Sequence, residues 1–180
     1  MRIHELEAYH QAGIGVLAVK LDVRLQQLSV GFEKQWTSGP TLEPLENFRK
    51  EDVEHSSCNR DRVEDYLTAS LGGSAGVFLF NLGRRRHFQR SHGDAGLEMK
   101  HLRRMWQCVE PEVDRAFGIA FALLSKFDDS DTEATLWRLW QRAVELLRQP
   151  LQRKQLDRLA RQLMQVGKMP GEEVVRFLQT

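Results

Sequence analysis

No stretch of the 180-residue chain approaches the ~20 consecutive apolar residues that a membrane-spanning helix requires. The longest candidate, Ile14 to Val23, is interrupted by Lys20 and Asp22. The chain begins Met1-Arg2-Ile3-His4-Glu5, with no apolar signal-peptide core behind it, so a soluble, cytoplasmic protein is expected. Excess charge of either sign is also missing. The 26 basic and 25 acidic residues nearly cancel, and overall charge makes no case for a nucleic-acid coat or a membrane surface. Cysteine is scarce: Cys58 and Cys108 stand far apart with no Cys-x-x-Cys spacing, the pattern of reduced thiols rather than of a disulfide framework. Internal repeats and low-complexity tracts are lacking. A phosphate-binding glycine loop is lacking too, since Gly72-Gly73-Ser74-Ala75-Gly76 has no Lys-Ser/Thr after it and falls within a helical pattern.

What is present is helical periodicity along most of the chain, in a length that suits a single domain over residues 1–180. Ile3 to Lys20 reads as a helix whose stripe is Ile3, Leu6, His10, Gly13, Leu17 and Leu21. Glycine at 13 and 15 costs such a helix up to about 1 kcal/mol each and implies a backbone packed closely against it. From Leu25 to Phe32 the period changes to two, with Leu28, Val30 and Phe32 alternating, as in a strand. Leu42 to Arg62 is charged and irregular. Asp61 to Leu82 is helical again and carries the small residues Gly72 to Gly76, which suit a close crossing with the glycines of the first helix.

A basic loop, Gly83 to Gly93, precedes a helix over Asp94 to Cys108. Helical signals then continue to the end, punctuated at Pro111, Asp128 to Asp131, Pro150 and Pro170. Trp137, Trp140, Val144 and Leu147 line one helix, and Leu156, Leu159 and Leu163 the next. Pro170-Gly171-Glu172-Glu173 starts a last short helix with carboxylates at its positive end. The expected fold is mainly α, six or seven helices with one small β-hairpin or sheet near Leu25 to Leu45.

The chemistry-bearing pattern lies in the first helix. A zinc-peptidase helix reads His-Glu-x-x-His, with two histidine ligands at i and i+4 and the glutamate as general base. Here the frame is His10-Gln11-Ala12-Gly13-Ile14. Gln11 cannot take a proton from water, and Ile14 has no lone pair for a metal. His4 and His10, six residues apart, sit roughly 120° out of alignment on a helix and do not form a chelating pair. Glu5 and Glu7 read as solvated carboxylates on the helix surface.

The order of these signals resembles the peptidase domain of the FtsH-type ATP-dependent zinc proteases over roughly residues 5 to 178. His10-Gln11-Ala12-Gly13-Ile14 stands where that family has His-Glu-Ala-Gly-His. Leu71-Gly72-Gly73-Ser74-Ala75-Gly76-Val77 stands where it has Gly-Gly-Arg-Ala-Ala-Glu. Ser91-His92-Gly93-Asp94 followed by Leu102-Arg103-Arg104-Met105 matches its metal-binding aspartate and Ala-Arg-Arg-Met segment, and Gly171-Glu172-Glu173-Val174-Val175 matches its terminal turn.

The resemblance implies a helical FtsH-peptidase-like, zincin-like domain without the ATPase module, and Asp94 as remnant of the third ligand, with Glu98 the alternative register. The departures at Gln11, Ile14 and Val77 imply a pseudoprotease. No catalytic residue, metal or cofactor is expected of it. The former cleft at His10, Gln11, Ile14 and Asp94 becomes a binding groove for a protein partner or a second copy of the chain.

Two other classes compete with this reading. One is a divergent zinc metallopeptidase whose site is rebuilt from His4, His10, His92, His101 or Asp94, with Glu7, Asp94 or Glu98 as base. The other is a nucleic-acid-binding adaptor using Arg84, Arg85, Arg86, His87 and Arg90 beside Phe88, although basic residues after a helix C-terminus are commonly just solvated. Ser74 and Ser91 carry no triad signature.

Overall fold

The structure, a computed structural model, describes residues 3–31, 42, 43, 45, 53, 56–84, 122 and 129–180. Among these the fold is mainly helical, with five helices and one two-stranded antiparallel sheet. In chain order the elements are α1 (Ile3–Lys20), β1 (Gln27–Ser29), α2 (Ser57–Arg84), α3 (Asp129–Arg148), α4 (Pro150–Val166), β2 (Lys168–Pro170) and α5 (Gly171–Gln179). The expected helix over Asp94 to Cys108 and the signal at Pro111 lie outside the described residues. None of the described helices is long and apolar enough to cross a membrane.

α1 is the central element. Every residue from 7 to 18 except His10 is buried, so the single stripe expected from Ile3, Leu6, His10, Gly13, Leu17 and Leu21 is replaced by burial on all sides. A helix surrounded by neighbours needs no polar face, and its apolar pattern loses periodicity. The Gly13 edge meets α2, and Gly15 lies under Leu28 of β1, Leu159 of α4 and Val174 of α5. The helix ends at Lys20; beyond it Asp22 adopts the left-handed φ of 54°, and the Val23 N–H donates to the Ala18 carbonyl at 2.8 Å.

α2 crosses α1 at the glycines, as the sequence leads one to expect. A Cβ on Gly13 would overlap the Gly72 carbonyl, and one on Gly76 would stand 2.5 Å from the Tyr9 carbonyl oxygen. The two backbones therefore touch, which only glycine permits. α2 starts at Ser57, inside the stretch read as irregular. Ser56 caps it, its Oγ accepting from the Asn59 N–H at 3.4 Å. Cys58 is exposed and free at this end, and Cys108 lies outside the described residues.

Leu28 of β1 and Val30 just after it are buried, as the alternation suggests, while Phe32 lies outside the described residues. The strand paired with β1 among the described residues is β2, far along the chain from Leu25 to Leu45. Gln27, Leu28 and Ser29 pair with Pro170, Met169 and Lys168, so the sheet joins the start of the chain to its end. Among the described residues of this region, Leu25 and Leu42 form an isolated antiparallel bridge.

α3 and α4 are separated at Gln149, and Pro150 opens α4, where a missing N–H costs nothing. Gly167, at φ 75°, closes α4 by donating to the Leu163 carbonyl at 2.8 Å. Leu156, Leu159 and Leu163 are fully buried, as their spacing suggests. Trp140 is also fully buried; its indole N–H donates to Ser74 Oγ at 3.2 Å, and its ring meets Phe78 edge-on at 5.2 Å. Trp137, half-buried, stacks on Trp140 at 5.5 Å. The tryptophan pair is core packing between α2 and α3.

Candidate functional site

The candidate site is one side of α1. Glu7, His10, Gln11 and Ile14 are spaced i, i+3, i+4 and i+7, which places them on one stripe of the helix. Because α1 is enclosed, that stripe faces protein. Gln11 is 3% exposed and Ile14 5%, so both are core positions.

His10 lies against the α2 backbone. A Cβ on Gly73 would come within 2.5 Å of its Nε2 and 2.7 Å of two ring carbons. Gly73 is thus the seat of the imidazole, while Gly72 and Gly76 make the backbone contact with α1. Nδ1 is sealed from solvent and has no hydrogen-bond partner among the described residues. Burial pulls the His10 pKa down to about 4, so the ring is neutral at neutral pH.

Glu7 corrects the expectation of a solvated carboxylate. It is 7% exposed, and its Oε1 accepts the Gly31 N–H at 3.0 Å, tying the chain beyond β1 to α1. Its position four residues before Gln11 is the sequence signal that could have revealed its burial. Glu5 and His4, one turn nearer the start, are half-buried. Beside this stripe, Tyr9 stacks on Phe80 and donates to Asp157 Oδ1 at 3.0 Å, linking α1 to α2 and α4. Burial first, then the Asp157 charge and hydrogen bond, pushes its pKa up to about 12, so it serves as a donor throughout the neutral range.

Of the residues expected to line a groove, His10, Gln11 and Ile14 share this face, with Gln11 and Ile14 buried in the core, and Asp94 lies outside the described residues. So do Glu98, His92, His101, Ser91 and the basic cluster at Arg85, Arg86, His87, Phe88 and Arg90; the Arg84 backbone ends α2. Among the described residues no three His, Cys, Asp or Glu side chains come together as a metal site. Glu7 and His10 supply one carboxylate and one imidazole, fewer than the three protein ligands of a catalytic zinc. Ser74 is occupied, its Oγ donating to the Leu71 carbonyl at 2.8 Å while it accepts from Trp140. The arrangement can hold a neutral ring and a buried carboxylate in fixed positions. Compared with known proteins, the chain matches no protein-family model and no curated protein.

Proposed function

We propose that this chain is a catalytically inactive FtsH-like peptidase homologue, a pseudoprotease that works as a protein-binding or structural module. The observation that carries the reading is the His10 face of α1. Where a zincin helix presents ligand, base and ligand, this helix has His10 seated on Gly73, with Gln11 and Ile14 buried in the core. The collinear motifs of the resemblance, from His10 to Gly171-Glu172-Glu173, support the same origin. Either departure alone would remove most of the chemistry, since the base and the second ligand are separate requirements. The partner would be a protein or another copy of the chain, and a cytoplasmic location goes with this reading.

A second reading, the divergent zinc metallopeptidase, draws on one specific observation. Glu7 is a buried carboxylate on the His10 stripe, with one oxygen already given to Gly31. Metal analysis separates the two. Purified protein is expected to carry little zinc and to leave casein intact. Stoichiometric zinc whose removal by chelator abolishes casein cleavage would establish the enzyme instead.

Restoration gives an independent test. The double substitution Gln11→Glu, Ile14→His rebuilds His-Glu-x-x-His on the α1 face, and with Asp94 as third ligand it should take up about one equivalent of zinc. Cleavage need not return, because a polypeptide must still reach the site. A folded double variant that binds no more zinc than the parent would count against the family resemblance.

A further inference from the structure

We draw no further inference here: the strongest candidate, the surface patch at the corner between α3 and α4 where Leu151 stands 61% exposed beside Arg148, Arg153 and Lys154, has its positive charge countered by Glu145 one turn back and by the Arg153–Asp157 ion pair at 3.6 Å, and nothing in the structure shows what covers it.

Discussion

His10 and Gly73 depend on each other, and their coupling can be measured. Adding a methyl at Gly73 forces the imidazole aside, so Gly73→Ala should destabilise by about 1–3 kcal/mol, less the ~1 kcal/mol that alanine returns in helix propensity. In a His10→Ala background the ring is gone and the penalty should largely vanish, a coupling of roughly 0.5–3 kcal/mol in urea melts. Additive penalties would mean that the ring does not rest on Gly73. Gly13→Ala is the contrasting case. It meets the Gly72 carbonyl, which belongs to backbone, and no side-chain deletion at His10 should relieve it.

The same ring predicts an acid-sensitive stability. Its pKa falls from 6.5 to about 4 on folding because burial penalises the cation. The unfolded chain therefore binds a proton that the folded chain refuses. The His10 contribution is complete above about pH 6.5 and declines as the pH falls toward 4, by roughly 3 kcal/mol at most. The stability of His10→Leu should be flatter than the parent's across that window. Parallel curves for the two proteins would refute the assignment.

Between elements, α2 and α3 are joined by charge outside the tryptophan contact. Glu64 receives Arg138 through both oxygens at 2.9 Å and Arg60 at 3.4 Å, and Asp65 receives Arg142 at 2.6 Å. Burial alone would raise the Glu64 pKa, but the hydrogen bonds and charges of Arg138 and Arg60 outweigh it and hold the carboxyl below its usual value of 4.5. A depressed carboxylate stabilises the fold above that value and ceases to as the pH drops below it. Glu64→Gln should cost about 1 kcal/mol at pH 7, with the difference from the parent shrinking in acid melts.

Trp140→Phe tests the buried contact beneath. Losing the indole N–H to Ser74 should cost about 1 kcal/mol or more, read as a lower urea midpoint with unchanged slope. The periodicity of α3 and α4 was legible because each keeps one side in water. α2 starts at Ser57, four residues before the Asp61 that periodicity suggests, because Ser56 offers a side-chain cap ahead of the first apolar position of the stripe.

Across the whole molecule, the sheet binds the two ends of the chain together. β2 supplies β1 with its partner, and α5 covers Gly15 and the adjoining core through Val174. Deleting residues 168–180 should therefore expose Leu28 and the α1 core and abolish the cooperative thermal transition followed by circular dichroism. A truncated chain that still melted sharply near the parent temperature would show the closure to be dispensable. The small sheet expected near Leu25 to Leu45 is there, but the strand paired with β1 comes from far along the chain. Alternation identifies a strand but carries no information about its partner, and the partner of Leu28 is Met169, 141 residues away.

The sequence by itself determined the helical class, the strand at Leu28, the glycine crossing and the presence of a glutamine at 11 and an isoleucine at 14 beside His10. Each is a local matter of side-chain type and spacing. Only the tertiary structure decided that α1 is buried over residues 7–18 apart from His10, that Glu7 is buried against Gly31, that Gly73 seats His10 and that β1 and β2, far apart in the chain, share a sheet. Those depend on which surfaces meet. A residue's burial is a property of its neighbours in space, and the same Glu-x-x-His spacing reads alike on a solvated helix and at the centre of a bundle.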